Sequence, residues 1–297
     1  MKRTKETFDR KETRDAYAFN LPLVLLAVLF VILPVIGTVY LSLFREVSFL
    51  PSKFISLENY SRLFGDGHFW QSFGFTFIFV LISVTIELVL GMIFALVLNE
   101  NIRGRGFFRT ALLIPWAIPI AISSRLWQLI YSFDYGVLNY IILKLGFSSS
   151  PINWLGTPFG AFTSILIADV WKTTPFLAII LLAGLSAIPN ELYQQAKIDG
   201  ANFARRFFSI TFPILKPVIL VAVLFRTIDA VRIFDIVYVL TGGGPGGSTT
   251  PLSLYAYRYY LTGDFGYGST VSVIVFICIS TLAVLYIKAG KFSEVLK

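Results

Sequence analysis

The sequence predicts an all-α integral membrane protein, folded as a bundle of six transmembrane helices. Of its 297 residues 56% are hydrophobic and only 14% charged, a balance far from that of soluble domains. Six apolar runs reach the roughly 20 residues that a helix needs to cross hydrocarbon. Lys and Arg, moreover, gather in alternate connections between those runs, as expected of a multi-pass protein. Backbone groups in lipid must be satisfied within the segment, and the runs lack the alternation of barrel strands, so each is read as a helix.

The chain divides into a basic tail at 1–19, a transmembrane domain at 20–288 and a short tail at 289–297. The first span, 20–44, exceeds the apolar core of a secretion signal and is followed by no small-x-small cleavage site, so it reads as an anchor. Spans at 69–99 and 108–131 follow. In the fourth, 160–188, DVWKTTPF at 169–176 interrupts the apolar pattern and Pro175 withdraws a backbone donor; interrupted helices mark transport sites. In the fifth, 212–240, Arg226, Asp229, Arg232 and Asp235 recur every three residues with alternating sign, which predicts pairing along one helix. The sixth, 269–288, holds the single cysteine, Cys278, read as a packing residue.

Charge orients the bundle. Lys2, Arg3, Lys5, Arg10, Lys11 and Arg14 in the first tail, Arg103, Arg105 and Arg109, then Lys197, Arg205 and Arg206, and finally Lys288, Lys291 and Lys297 fall on one side. The other side has Arg45, Lys53, Arg62, Lys144 and Arg258. Both termini are therefore expected in the cytoplasm. The net charge of +8 reflects topology and contact with anionic lipid, with no case for nucleic acid.

Catalytic apparatus is not legible. His68 is the only histidine, without a second to share a metal. TGGGPGGSTT at 241–250 has the glycine spacing of a phosphate loop, but Ser248 replaces the lysine, and a tightly turning linker is the better reading. No nucleophile elbow or metalloprotease pair occurs, and a membrane-embedded enzyme would lack a base beside its nucleophile.

The polar insert ELYQQAKIDGANFARRFFSITFPILKP, 191–217, is unusual for such a chain. Pro189 and Asn190 open a helix with Glu191 in its first turn, Gly200 stops it, and Asn202 caps a second helix through Phe203, Phe207 and Phe208. Two readings are open: a rigid knob for a groove on a cytoplasmic partner, with Leu192, Tyr193 and Ala196 as its apolar contacts, or a helical linker lying on the membrane surface.

This insert resembles the EAA loop of binding-protein-dependent ABC importer permeases: Asp199, Gly200, Ala201, Phe207, Ile210, Thr211 and Pro213 match the motif. Gln194 and Gln195 stand where the family carries Glu and Ala, and Ala196 is retained. SLENYSRLF at 56–64, RGRGFFRTALLIPWAIP at 103–119, DYGVLN at 134–139 and FDIVYVLTGGGP at 234–245 are similar, in the same order, to segments of MalF-like sugar permeases. The resemblance implies a type I ABC importer permease in the inner membrane of a prokaryote. Its loop at 189–211 would be the coupling helix, with Glu191, Tyr193, Gln194, Gln195, Ala196, Asp199, Gly200, Ala201, Phe207 and Pro213 docking on the ATPase. The implied partners are a second homologous permease, a cytoplasmic ATPase dimer and an extracytoplasmic sugar-binding protein. ATP and magnesium belong to the ATPase, and this chain binds no cofactor.

Ionisable residues within the spans, namely Glu87, Arg125, Asp169, Lys172, Arg226, Asp229, Arg232 and Asp235, face a bundle interior or a wet cavity. They read equally as mutually neutralising pairs or as a hydrophilic face for a hydroxyl-rich substrate. The resemblance places substrate contacts at Trp171, Lys172, Thr173 and Thr174 and at Arg226, Asp229, Ala230 and Ile233; the last two are apolar where a maltose permease carries amides. The expected function is half of an alternating-access path for a di- or oligosaccharide. The alternative is a self-sufficient secondary transporter in which Glu87, Asp169 and Asp229 bind protons or sodium.

Overall fold

A computed structural model describes residues 10–101 and 103–289, with side chains from Thr13 onward. Lys2, Arg3, Lys5, Lys291 and Lys297 of the predicted tails lie outside the described residues. Helix α1, Arg10–Ala27, begins ten residues before the predicted span and runs through a π-helical turn, Val28–Ile32, into α2, Leu33–Ser42. The sequence just ahead of the apolar run, RKETRDAYAF, holds good helix formers and no glycine or proline, so nothing stops the helix at the edge of the hydrocarbon.

A two-stranded hairpin follows, β1 Phe44–Arg45 with β2 Lys53–Phe54, then α3, Glu58–Phe64. Asn59 donates to the carbonyls of Ser42 and Phe44 at 3.0 and 2.9 Å, fastening this outer segment to the end of the first span. Asp66 caps α4, Gly67–Asn99, by accepting from the His68 N–H at 2.8 Å.

The third predicted span is corrected: it is two helices, α5 Arg105–Ala117 and α6 Ile120–Ile130, bent by 90° at the break. Pro119 supplies no N–H, and the residue before a proline is pushed out of the helical region; Ile118 is accordingly extended at φ −69°, ψ 132°. After α7, Val137–Lys144, comes α8, Pro158–Ser186. It is unbroken at Pro175, contrary to the expected interruption of the fourth span. Thr173 and Thr174 donate there to the carbonyls of Asp169 and Val170 at 2.7 and 2.6 Å, a back-bonding that helix interiors tolerate.

Helix α9, Asn190–Ile198, and α10, Phe203–Arg206, form the polar insert. A second π turn, Phe207–Thr211, joins α10 directly to α11, Phe212–Val231. In that turn the Phe212 N–H reaches back to the Phe207 carbonyl, the wider spacing that lets a helix take in Pro213 without ending. The fifth span thus starts at the insert and stops at Val231, earlier than expected; Asp235 opens a separate helix, α12, Asp235–Leu240. The glycine loop leads to α13, Leu252–Leu261, and α14, Phe265–Ala289.

The helices long and apolar enough to cross a membrane number five among the described residues, and six when the bent pair counts as one span. Helices α4 and α8 form the spine, with α11 packed against both. Two apolar clusters fill it: Phe75, Phe79, Ile165, Ile233 and Val237 towards one end, and Leu98, Leu181, Leu185, Leu215 and Ile219 towards the other. Between spans, close packing replaces the hydrophobic effect as the source of cohesion. At Gly91 an added Cβ would stand 3.1 Å from the Leu177 Cβ and 3.3 Å from the Ala178 nitrogen of α8. We expect Gly91→Val to force α4 and α8 apart at a cost of about 1–3 kcal/mol, read as a lowered thermal midpoint of the purified protein, with Gly91→Ala intermediate.

Candidate functional site

Two sites emerge, one at the polar corner and one in the middle of the bundle. At the corner, α9 closes with a Schellman motif: the Ala201 N–H bonds the Ala196 carbonyl at 2.8 Å and the Gly200 N–H bonds the Lys197 carbonyl at 3.1 Å. The motif needs a left-handed residue, and Gly200 supplies it at φ +74°. Asn202 then caps the next helix, its Oδ1 accepting from the Arg205 N–H at 2.9 Å. Tyr193 pins α9 to the π turn through its hydroxyl, 3.0 Å from the Thr211 Oγ1. The corner is therefore fixed at the carboxyl end of α9, at the start of α10 and across the middle of α9.

The predicted docking residues divide by face. Glu191, Gln194, Gln195, Asp199, Gly200 and Pro213 are exposed, whereas Tyr193, Ala196, Ala201 and Phe207 are half-buried. Tyr193 packs against the second apolar cluster, so the apolar side offered outward is that of Leu192 and Ile198, the latter 85% exposed. Ile198 escaped the sequence reading, the available signal being an apolar residue at the end of a polar helix; Phe208, read as part of the second helix, is exposed as well.

In the bundle, α4, α8 and α11 each contribute one charged side chain to a buried cluster. The Arg226 guanidinium bonds Glu87 through Nε and through Nη2, the latter at 2.8 Å, and bonds Asp169 through Nη2. All three residues are buried, Arg226 being 2% exposed and Glu87 0%. The Thr173 hydroxyl, whose one proton also faces the Asp169 carbonyl, lies 2.8 Å from Glu87. The predicted pairing along the fifth span is corrected in part: Arg232 does bond Asp229, at 2.7 Å on the exposed surface, but Arg226 turns to other helices. A guanidinium's planar fork matches two carboxylates, and in a dry interior it finds them wherever they are.

Lys172 is likewise committed. Its ammonium donates to the carbonyls of Pro115, Trp116 and Ile118, at the carboxyl end of α5 where the break leaves carbonyls without helical donors. Three ammonium protons and a positive charge at the negative end of a helix suit that place. Of the other predicted path residues, Thr174, Ala230 and Ile233 are buried, while Trp171 and Asp229 are exposed. Trp171 also meets the Trp127 ring of α6 edge-on at 5.7 Å.

At the opposite end of the molecule from the corner, His68, Gln71, Tyr255, Arg258 and Tyr259 line a cavity of about 290 Å³. Beside it burial pushes the Asp66 carboxyl upward, and hydrogen bonds from the Tyr255 hydroxyl, the His68 N–H and the Tyr267 hydroxyl outweigh this and hold it below the usual carboxylate range. Burial raises the Tyr255 phenol, and its bond to Asp66 raises it further. Among the described residues no group of three or more His, Cys, Asp and Glu is placed to hold a metal. The glycine loop is structural: Gly243, at φ +90°, sits where a Cβ would meet Arg258 and Thr250 at 2.6 Å.

Residues 87–289 match the family described as binding-protein-dependent transport system inner membrane component. Over 283 residues, 95% of each chain, the sequence is 52% identical to the trehalose/maltose transport system permease protein MalF of Thermococcus litoralis. It is 40% identical, over 90% of this chain and 87% of the relative, to the sulfoquinovosyl glycerol transport system permease protein SmoG of Agrobacterium fabrum. The fold is similar to a chain of a bacterial alginate ABC transporter solved in complex with an alginate pentasaccharide-bound periplasmic protein, with a TM-score of 0.81 at 21% identity over 95% of this chain and 96% of the other.

Removing the cation from the buried cluster leaves two carboxylates unpaired, so Arg226→Met is expected to cost about 3–5 kcal/mol. Glu87→Gln, which leaves Asp169 to pair with Arg226 and keeps an acceptor for it, costs less. Thermal unfolding of the two variants in one detergent checks the order.

Proposed function

The chain belongs to the binding-protein-dependent transport system inner membrane component family, and on that premise we propose that it moves a hydroxyl-rich sugar of the di- or oligosaccharide class. It is a permease subunit of an ABC importer for carbohydrate, and it is not itself an enzyme: hydrolysis of ATP takes place on a separate subunit. The observation that carries the reading is the 52% identity, across 95% of both chains, to a trehalose/maltose permease.

In this proposal the exposed face of α9, with Glu191, Gln194, Gln195 and Asp199, docks on a cytoplasmic ATPase that holds the ATP and magnesium. A second permease completes the path, and an extracytoplasmic binding protein delivers the sugar to the opposite end. Both termini then lie in the cytoplasm; the gathering of Arg105, Lys197 and Arg206 around one cavity at the corner supports that orientation, because cytoplasmic connections carry the excess of Lys and Arg. The exposed apolar side chains of the first span, such as Leu23 of α1 and Phe30 of the π turn that follows it, fit a surface covered by lipid and by the second permease.

The sugar contacts proposed for this half of the path are Trp171 and Asp229, the exposed members of the predicted set, with Thr173 behind them at Glu87. Lys172, Thr174, Arg226, Ala230 and Ile233 shape the wall from within. The ion-coupled alternative has no support, and each carboxylate it would use already has a cation beside it: Glu87 and Asp169 bond Arg226 and Asp229 bonds Arg232.

Transport closes the loop. Uptake of labelled trehalose and maltose-series sugars into vesicles should require this chain, a second permease, the ATPase, the binding protein and internal ATP together. Gly200→Val puts a β-branched residue at a positive φ and is expected to abolish both uptake and binding-protein-stimulated ATP hydrolysis. Uptake by this chain alone along an ion gradient would overturn the reading.

A further inference from the structure

We propose that the cavity beneath the corner is a binding site for a phosphate-bearing anion. The cavity has a volume of about 580 Å³ and lies between the end of α4, the start of α5, the end of α8 and the two helices of the insert. Arg105, Lys197 and Arg206 line it, against Glu100 as the single carboxylate of its wall. Glu100 is itself exposed.

The two arginines are the informative groups. Their Nε atoms are closed off from solvent and have no hydrogen-bond partner, and among the described residues neither guanidinium is in an ion pair. Both arginines are half-buried, and a partly desolvated cation without a counterion favours an anion beside it. Both side chains line the cavity, so an anion held there would meet two guanidinium groups that lack a counterion. Arg105 opens α5 and Asn190 opens α9, and both line the cavity, so the positive ends of two helices add to the charge of the side chains. Planar guanidinium groups, a lysine and helix amino ends together select phosphate oxygens.

The volume exceeds a bare phosphate and accommodates a phosphate carrying a small polar group. The cavity also has apolar walls at Leu96, Leu185 and Phe207, at the level where spans α4 and α8 end. Two sources of the same chemistry fit: the headgroup of an anionic phospholipid and a soluble phosphate ester. Either one would bridge the bundle, through Arg105, to the corner, through Lys197 and Arg206. The site would thereby tie the stiffness of the α9 connection to the anion. This site is distinct from the exposed face of α9 and does not depend on which sugar is carried.

The test uses the assembled importer in nanodiscs of phosphatidylcholine alone and of phosphatidylcholine mixed with phosphatidylglycerol, with retained lipid counted by native mass spectrometry. A second arm titrates inorganic phosphate and glucose 6-phosphate into the detergent-purified complex by calorimetry. The wild type is expected to retain phosphatidylglycerol, or to bind the soluble ester, with R105Q/R206Q about tenfold or more weaker. R105K/R206K, which keeps the charge and guards against misfolding, is expected to fall between them. Lys216→Gln, a neutral change at an exposed lysine of α11, should leave retention unchanged. Retention of lipid assigns the headgroup as the source; binding only in the calorimetric arm assigns a solute. Equal retention and equal titration in the wild type and R105Q/R206Q would overturn the site.

Discussion

The bond network of Arg226 with Glu87 and Asp169 is the constraint on which the bundle depends. Three charges inside a membrane domain are tolerated only as a closed set, and closing this one requires α4, α8 and α11 to meet at one depth with one rotation each. Glu87 lies along α4 between Phe79 and Leu98, Asp169 along α8 between Ile165 and Leu181, and Arg226 along α11 between Ile219 and the Ile233 just beyond its end. The polar layer therefore separates the two apolar clusters and sets their register. Lys172, three residues from Asp169, extends the same layer to the end of α5, so the bent third span is held by the helix that carries one of the three charges of the cluster.

The corner inherits its rigidity from that block. The fifth span is continuous from Phe203 to Val231, which joins Arg226 to the insert through a single helix. Tyr193 fastens α9 to the same helix at Thr211. A force applied to α9 is thus delivered to the charge layer with no loose segment between them. Allostery of this kind needs packed, discrete contacts more than flexibility. The Schellman closure explains in mechanical terms why a glycine stands at position 200, where φ is +74°.

What was legible in the sequence was what is local. Span length and charge bias suffice for six crossings, and the corner could be read residue by residue because Asn202 and Gly200 act on their own neighbours. Pairings across helices left no such trace. Arg226 was placed with Asp229 because three-residue spacing is all that a sequence displays, while Glu87 stands 139 positions away. The bend at Ile118 did have a signal in Pro115 and Pro119, overlooked because the apolar run continues through it. Asn59 and Asn139 stood in matching motifs without a reason; each turns out to bind several backbone groups of an outer segment, Asn139 bonding Ile152 in both directions at 3.1 Å and accepting from the Trp154 indole at 2.9 Å.

The claim that the corner and the bundle move as one body is tested most directly by a distance. With Cys278 replaced by alanine, spin labels at the exposed Gln194 of α9 and the exposed Ile167 of α8 can be measured by double electron–electron resonance in the assembled importer, without nucleotide and with nucleotide trapped. A rigid block predicts the same distance distribution in both states. A distribution that shifts when nucleotide is trapped would mean that α9 hinges on its own bundle, and would contradict the account.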